Sequence, residues 1–284
     1  MWSPAGVPAL DGIPAKLRLK AVFQHERQFP GSDMIEFDLV VRRFGATVAV
    51  NGLTLTIPPG ELFALLGPNG AGKTTTIRML VGLLQPDAGH VRVCGVDCSR
   101  NPREASSHLG YVPDEQYLYE KLSGRELLEF AGEMHGLDKA ATRERIARET
   151  RRFELAGFLD NLTETYSHGM RQRLVFAIAL LHDPQVLVVD EPMVGLDPRS
   201  ARVVKDLLRA EARAGKTVLM STHTLAVAEE IADRIGILNW GQLDFLGTLA
   251  ELRQELSAPQ QALEHLFLEL TDGHASPVVK ELFP

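Results

Sequence analysis

The feature that most limits the fold of this chain is a glycine-rich loop, GPNGAGKTT, which runs from Gly67 to Thr75. An apolar run, ELFALL, precedes the loop. After it, apolar residues recur at i, i+3, i+4 and i+7 from Ile77, which is the pattern of one helix face. The loop matches G-x-x-x-x-G-K-[ST] in the strand–loop–helix context that this pattern requires. A glycine-rich turn that arose by chance is the alternative, and the flanking strand and helix argue against it.

A loop of this kind binds phosphate oxygens with inward-turned backbone N–H groups, and the N-terminus of the following helix adds partial positive charge. Lys73 is expected to reach the β- and γ-phosphates of a nucleotide, and Thr74 is expected to bind Mg²⁺. The expected binding residues are Gly67, Pro68, Asn69, Gly70, Ala71, Gly72, Lys73, Thr74 and Thr75.

Candidate catalytic residues follow two further apolar runs. Asp190 ends the run VLVVD, where a Mg²⁺-binding carboxylate is expected, and Glu191 is positioned to polarise an attacking water. A strand-end charge pair without a catalytic role is the alternative, and the phosphate loop favours catalysis. His223 ends TVLMSTH. A lone histidine is usually structural, but at the end of such a strand it can donate to the γ-phosphate.

The rest of the pattern predicts an α/β fold. Ile35, Phe37 and Leu39 alternate with acidic residues, which predicts an antiparallel β layer at the N-terminal end. Apolar strands that alternate with helices predict a mostly parallel sheet with ligands at the carboxyl ends of its strands. Residues 116–165 contain no strand pattern, and Ser123 with Glu126 matches a capping box ahead of an apolar face that ends at Met134. We predict an inserted helical lobe there.

Composition excludes some classes of protein. The net charge of −7 argues against nucleic-acid binding by phosphate neutralisation. The segment TRERIARETRRF could form a basic patch, but the interleaved Glu144, Glu149 and Glu154 predict a solvated helix face. No apolar run approaches the roughly 20 residues that cross a bilayer. Cys94 and Cys98 lack a second ligand cluster, which favours a reduced cytosolic compartment over a metal site.

The two ends of the chain are predicted to differ from the core. Residues 1–33 contain scattered Pro and Gly without an apolar signal region, so we predict a poorly ordered extension and a natural start at Met34 as an alternative. Residues 34–284 are predicted to form one domain that ends in a helical tail over 248–284. An apolar face of that tail is formed by Leu263, Leu266, Phe267 and Leu270.

Five motifs in a fixed order resemble the ATP-binding cassette (ABC) ATPase family. They are GPNGAGKTT, YSHGMRQR, VLVVDEP, GLD from Gly195, and STH from Ser221. The resemblance covers the chain from about Ile35 to its end. It implies a P-loop RecA-like core with a mostly parallel sheet, an N-terminal antiparallel β layer and an inserted helical lobe. It also implies ATP and Mg²⁺ as cofactors.

The segment YSHGMRQR resembles the family signature LSGGQxQR, with Tyr166, His168 and Met170 as departures from it. The resemblance implies that Ser167 and Gly169 bind the ATP held by a second subunit. Each nucleotide pocket would then be incomplete in a lone chain.

Three more residues take their expected roles from the resemblance. Phe44 stands where the family has an aromatic ring that stacks on adenine, although a core phenylalanine is the alternative. Asp197 corresponds to an aspartate that communicates across the dimer. Asp114 stands where the family usually has a glutamine that contacts Mg²⁺ and the attacking water. An aspartate can still bind Mg²⁺ or a water, so Asp114 is expected to bind the metal with Thr74 and Asp190, although its charge and shorter reach differ from those of glutamine.

The resemblance implies an ATPase subunit that forms a nucleotide-sandwich dimer, expected to be a homodimer, and that drives a separate transmembrane permease. Its expected location is cytoplasmic, on the inner face of the membrane. The tail and the YVPDE and YSHGM variants resemble exporter-type cassettes. An importer ATPase, a regulatory nucleotide sensor, and a soluble ATPase that acts on ribosomes or DNA are the alternatives. A single copy of each motif and the acidic charge disfavour the last of these.

Overall fold

An antiparallel sheet forms the N-terminal part of the computed structural model, which describes residues 33–256 and Phe267. Its strand order is β2-β1-β4-β5. These strands are β1 (Ile35–Phe44), β2 (Thr47–Ile57), β4 (Ala88–Val93) and β5 (Val96–Asp97). The predicted antiparallel layer is therefore confirmed.

The second sheet is mostly parallel, as predicted. Its strands are β3 (Leu62–Leu66), β6 (Leu109–Val112), β7 (Val186–Asp190), β8 (Thr217–Thr222), β9 (Arg234–Asn239) and β10 (Gln242–Gly247). They lie in the order β10-β9-β3-β8-β7-β6, and only the β9–β10 hairpin is antiparallel. Alternate residues of β3 and β7 enter two different hydrophobic cores, so helices or the first sheet cover both faces of these strands.

The helices connect and cover the strands. They are α1 (Lys73–Leu80), α2 (Pro102–Ser107), α3 (Gly124–Met134), α4 (Lys139–Arg152), α5 (His168–Leu180), α6 (Pro198–Arg213), α7 (Leu225–Ile231) and α8 (Leu249–Glu255), with a short 3-10 helix at Thr163–Thr165. Within residues 33–256 and Phe267, no helix combines the length and the apolar character that a membrane span needs.

The alternation predicted for β1 is wrong at Leu39. Ile35 and Phe37 are fully buried, but Leu39 is 48% exposed at a φ of 48°. The pairing of β1 with β2 shifts register between Phe37 and Val40, so that Val40 is buried instead. An extra residue in a bulge moves the next side chains of the strand to the opposite face, because side chains alternate with a period of two.

The segment 116–165 contains α3, α4 and the short 3-10 helix. The capping box is confirmed, because the Ser123 hydroxyl accepts from the Glu126 N–H and the Glu126 carboxylate accepts from the Ser123 N–H at 2.8 Å. Leu127 and Leu128 are buried as predicted. Met134 is 66% exposed, so its predicted place on the buried face is wrong; α3 ends at this residue.

The predicted solvated face of α4 is wrong at Glu149, whose side chain is fully buried. Arg148 Nε donates to Glu149 Oε1 at 2.5 Å, and Arg152 donates to Glu211 on α6. Burial raises the pKa of Glu149, and the two arginines oppose that rise. The charge pattern of a helix does not reveal which of its turns another helix will cover.

Predictions for the chain ends fall mostly outside the described residues. Residues 1–32 lie outside them, as do residues 257–266 and 268–284. The proposed extension and the apolar face with Leu263, Leu266 and Leu270 are therefore not described. Phe267 is described and packs, partly buried, against the larger core.

Gly89 and Gly95 provide a test of the bulged β1–β4 pairing. Both have φ near +80°, but a Cβ on Gly89 would lie 2.4 Å from the carbonyl oxygens of Asp38 and Leu39, whereas one on Gly95 meets nothing within 4 Å. We expect Gly89→Ala to lower the free energy of unfolding by about 2 to 4 kcal/mol and Gly95→Ala by about 1 kcal/mol. Chemical denaturation measures both, and equal losses would contradict the close backbone approach.

Candidate functional site

The glycine-rich loop follows β3 and leads into α1, and the surrounding backbone approaches it closely. A Cβ on Gly67 would lie 2.3 Å from the carbonyl oxygen of Leu238, which belongs to β9. Gly72 has a φ of 106°, and a Cβ there would lie 2.4 Å from the carbonyl oxygen of Ala49 on β2. Only glycine fits these two positions, because any side chain would displace a neighbouring strand.

Lys73 lies at the N-terminus of α1 with its side chain folded over the loop. Its Nζ donates to the carbonyl oxygens of Gly67 at 2.8 Å and Pro68 at 3.3 Å. The same ammonium lies 3.5 Å from Glu191 Oε1 and is almost fully buried. The Lys73 ammonium and the glycine-rich backbone at the start of α1 thus line one cavity, which suits a polyanion.

The turn of the β9–β10 hairpin forms a hydrogen bond with the phosphate loop. The sequence did not predict that this turn belongs to the site. Gly241 N donates to the Ala71 carbonyl at 2.9 Å, and Gly241 O accepts from Asn51 N at 2.8 Å. The turn therefore joins the phosphate loop to β2. The sequence indicates a turn at Asn239 to Gly241, but it does not indicate that this turn contacts the phosphate loop and β2.

Asp190 and Ser221 form a buried pair at the carboxyl ends of β7 and β8. The Ser221 hydroxyl donates to Asp190 Oδ1 and accepts from Glu191 N at 3.1 Å. Asp190 Oδ2 is also buried and has no hydrogen-bond partner among the described residues. A buried carboxylate oxygen without a partner is costly unless something binds it. Ser221 was not predicted as a supporting residue, although it lies in STH.

Glu191 lies between the side chains of Lys73 and His223. Its Oε1 faces Lys73, and its Oε2 lies 3.0 Å from His223 Nδ1 and accepts from the His223 N–H at 3.3 Å. Its backbone is left-handed, with a φ of 47°. Such a conformation costs free energy for a non-glycine residue, and here Ser221 holds it with two hydrogen bonds to the Glu191 N–H.

Asp114, in the segment after β6, lines the same cavity as Lys73 and Glu191. A cavity of about 200 Å³ is lined by Ala49, Asn69, Gly70, Gly72, Lys73, Thr74, Thr75, Asp114 and Glu191. Burial is the largest cause of a raised pKa at Asp114, and the nearby carboxylates of Asp190 and Glu191 raise it further. A cation bound between these carboxylates would relieve that repulsion.

The oxygen ligands present suit Mg²⁺. Thr74, Asp114 and Asp190 line a neighbouring cavity of about 390 Å³, and the Oδ2 atom of Asp190 is buried without a hydrogen-bond partner among the described residues. In residues 33–256 and Phe267, no group of three or more His, Cys, Asp or Glu side chains could hold a metal by itself. Mg²⁺ does not need such a group, because it is usually bound by one or two carboxylates together with phosphate oxygens and water.

The signature-like segment lies at the start of α5. The Ser167 hydroxyl accepts from Met170 N at 3.4 Å as the N-cap, and Ser167, His168 and Gly169 are exposed. Among the described residues, neither Ser167 nor Gly169 lines the cavity that contains Lys73 and Glu191. The start of α5 is therefore a second, exposed group of N–H donors, separate from the first cavity.

Tyr166 explains how the departure from the family signature is accommodated. Its ring is buried, and its hydroxyl donates to the Phe158 carbonyl at 2.7 Å. A Cβ on Gly124 would lie 2.5 Å from that hydroxyl, so the glycine at the start of α3 makes room for the tyrosine. The signature segment is thereby joined to the helices of residues 116–165.

Asp197 and Phe44, two other residues implied by the resemblance, have structural contacts of their own. Asp197 caps α6, since its carboxylate accepts from Arg199 N and Ser200 N, and hydrogen bonds from Ser200 lower its pKa. Phe44 is 48% exposed, so the alternative of a core phenylalanine is wrong. The guanidinium of Arg42 lies 4.8 Å from its ring centre.

The fold and this site define a P-loop nucleotide-binding protein. The family model described as ABC transporter matches residues 50–194. The daunorubicin/doxorubicin resistance ATP-binding protein DrrA of Streptomyces peucetius is 42% identical over 224 residues, 79% of this chain and 68% of that protein. The Nod factor export ATP-binding protein I of Paraburkholderia xenovorans is 40% identical over 208 residues, 73% of this chain and 68% of that protein.

Solved structures agree with these relatives. An ATP-binding subunit of an ABC transporter matches with a TM-score of 0.78 and 31% identity, over 84% of this chain and 99% of that one. The chain therefore belongs to the ABC transporter ATP-binding family.

Ser221→Ala tests whether the buried pair depends on its hydroxyl. The substitution leaves both oxygens of Asp190 without a side-chain donor, so we expect the free energy of unfolding to fall by about 1 to 3 kcal/mol. Ser200→Ala is the matched control, because Ser200 Oγ donates to the exposed Asp197 at 2.6 Å. Water replaces that donor, and the expected loss is below about 1 kcal/mol. Similar losses in the two variants, measured by denaturation, would contradict this account.

Proposed function

We propose that this chain is a Mg²⁺-dependent ATPase whose nucleotide-sandwich dimer, a homodimer, drives a separate transmembrane permease. The observation that carries the proposal is the position of Glu191, whose carboxylate lies 3.5 Å from Lys73 Nζ and 3.0 Å from His223 Nδ1. A carboxylate between a phosphate-binding lysine and a histidine is suited to accept the proton of a water that attacks the γ-phosphorus.

Each residue has a distinct part in this reaction. The loop from Gly67 to Thr75 binds the phosphates, and Lys73 neutralises the β- and γ-phosphate charge. Glu191 takes the water's proton as the new bond to phosphorus forms and the bond to the bridging oxygen of ADP breaks. His223 holds Glu191 in place and donates to the γ-phosphate.

Thr74, Asp190 and Asp114 are the residues proposed to hold Mg²⁺. When bound there, the ion would offset the negative charge of the transferred phosphoryl group. Asp114 replaces a neutral amide of the family pattern, and its pKa is raised by burial first and by the neighbouring carboxylates second.

The second half of each site is proposed to come from another subunit. Ser167 and Gly169 are exposed at the start of α5, away from the chain's own phosphate cavity, which supports their binding of a partner's nucleotide. His168 lies beside Gly195, 3.5 Å from where its Cβ would be, and Gln172 Nε2 donates to Pro192 O at 2.8 Å. These contacts couple the signature helix to the segment that follows Glu191 and ends at Asp197.

The proposed direction of transport is export. The relatives described above are named for drug resistance and Nod factor export, and the linearmycin resistance protein LnrL of Bacillus subtilis is 35% identical over 78% of this chain. We propose residues 34–284 as the ATPase domain, with 116–165 as its helical lobe, bound to the cytoplasmic face of the membrane through the permease. Importer and regulatory roles are the alternatives. Co-purification with a membrane-spanning partner, and ATP-driven efflux rather than uptake in vesicles, would separate these roles.

Glu191→Gln tests the general base. We expect ATP affinity to stay within about twofold while turnover falls at least about 100-fold, because the amide cannot accept the proton. ATP should then hold the variant as a dimer, measured by light scattering. Glu133→Gln, on the exposed side of α3, is the control and should keep normal turnover. Undiminished hydrolysis in Glu191→Gln would refute the assignment.

Ser167→Arg tests whether the signature acts in a second subunit. The added charge and bulk should reduce hydrolysis at least about tenfold, because the partner's phosphate loses its contacts at the N-terminus of α5. ATP affinity of the dilute monomer, measured by calorimetry, should remain unchanged. Ser107→Arg, at the exposed end of α2, controls for the added charge. A collapse of monomer affinity would assign the signature to its own subunit's site.

A further inference from the structure

The ring of Phe44 has a charged partner on one face. Arg42 and Phe44 lie two residues apart near the end of β1, so their side chains can lie on the same side of the strand. The Arg42 guanidinium carbon is 4.8 Å from the centre of the Phe44 ring, within the range of a cation–π interaction. Phe44 is nevertheless 48% exposed, so much of the ring remains open.

The guanidinium is itself anchored to the chain. Arg42 Nη1 donates to Asp87 Oδ1 at 2.8 Å and to the Gln85 carbonyl at 3.1 Å. The other oxygen of Asp87 accepts from Arg43 N at 2.6 Å, and Asp87 N donates to Val41 O at 2.8 Å. A planar guanidinium with two acceptors on one nitrogen cannot turn freely, so its position over the ring is set by the segment before β4.

One nitrogen of the Arg42 guanidinium, Nε, is buried and has no hydrogen-bond partner among the described residues. A buried donor without a partner weakens a fold, and an alternative rotamer could expose it to water. The ring contact and the Asp87 contacts together keep the guanidinium in place.

Phe44 ends β1, and the second strand of the same hairpin lines the proposed nucleotide site. After the turn at Gly45, β2 runs back beside β1, and Ala49 on β2 lines the cavity that contains Lys73. If Phe44 stacks on the base, a nucleotide whose phosphates lie in that cavity extends its base toward the turn of the β1–β2 hairpin. The free face of Phe44 is then the one that Arg42 leaves uncovered.

We propose that Arg42, held by Asp87, is a positioning residue for the nucleobase: it covers one face of Phe44 and holds the ring with its opposite face open to the adenine of ATP. This inference rests on the proposed stacking role of Phe44. Arg42 acts through the ring and not on the phosphates. It therefore contributes to base affinity and leaves phosphate affinity unchanged.

The first test compares two ligands of the full-length chain by calorimetry. Arg42→Ala should raise the dissociation constant for the non-hydrolysable analogue adenosine 5′-(β,γ-imido)triphosphate about three- to fivefold. The dissociation constant for inorganic tripolyphosphate, which has no base, should not change. An equal loss for both ligands would overturn the proposal, because it would indicate an effect on the phosphate site or on the fold.

A double-mutant cycle with Phe44→Leu shows whether Arg42 acts through the ring. Phe44→Leu should weaken analogue binding, and adding Arg42→Ala should then have no further effect. If Arg42→Ala weakened analogue binding as much in the Phe44→Leu variant as in the unmodified chain, the proposal would be overturned. If Phe44→Leu itself left affinity unchanged, the stacking role of Phe44 would also fail, which distinguishes that result from a failure of Arg42 alone.

Two more variants control for structural damage. Arg42→Lys keeps a cation that can lie near both Phe44 and Asp87, so it should recover at least half of the lost affinity. Arg92→Ala removes a comparable ion pair, from Arg92 Nη1 to Glu36 Oε1 at 2.7 Å, at the far end of β1. It should leave analogue affinity unchanged. A loss in Arg92→Ala as large as in Arg42→Ala would indicate general weakening of the sheet and would overturn the proposal.

Discussion

The parallel pairing of β3, β8 and β7 is the constraint on which the rest of the site depends. Leu66 is paired with Thr222, and Ser221 with Asp190, so the three strands reach the same edge of the sheet in register. The phosphate loop leaves β3 at this edge, and Glu191 leaves β7 there. A shift of one residue in the pairing of β7 with β8 would turn the Asp190 carboxylate to the other face of the sheet.

The backbone around the loop gives that edge its rigidity. Gly67 and Gly72 are approached to within 2.4 Å of a hypothetical Cβ by Leu238 and Ala49, which belong to two different sheets. The phosphate loop thus lies between the β9–β10 hairpin and β2, and a movement of either would deform it. Ionisable side chains are concentrated in this small volume, where Lys73 and His223 contact Glu191 and the carboxylate of Asp190 lies near that of Asp114. Such a site is ready for a polyanion and a cation together, because each offsets the other's charge.

The start of α5 lies outside the cavity that contains Lys73 and Glu191. Its donors are exposed, and contacts to Phe158 and Pro192 join it to the lobe and to the segment after Glu191. The departures from the family signature fit this arrangement, since Tyr166 is an internal anchor and His168 lies against Gly195.

Sequence patterns predicted the elements whose signal is local. The glycine-rich loop, the strand that ends at Asp190, the strand that ends just before His223 and the capping box at Ser123 follow from the spacing and type of residues near one another along the chain. The order of strand and helix patterns also predicted the two kinds of sheet. The family resemblance added Phe44 and Ser167, whose roles no local pattern specifies. The domain limits remain a prediction.

By itself, then, the sequence determined where phosphates can bind and which carboxylates end the neighbouring strands. Only the tertiary structure decided that Leu39 would bulge outward, that Glu149 would be buried beside α6, and that Ser221 and Gly241 would support the site. The physical reason is that these features depend on partners far apart in the chain. Register, burial and hydrogen bonding across 30 or more residues, as between Asp190 and Ser221, arise from packing and leave no periodic mark on the sequence.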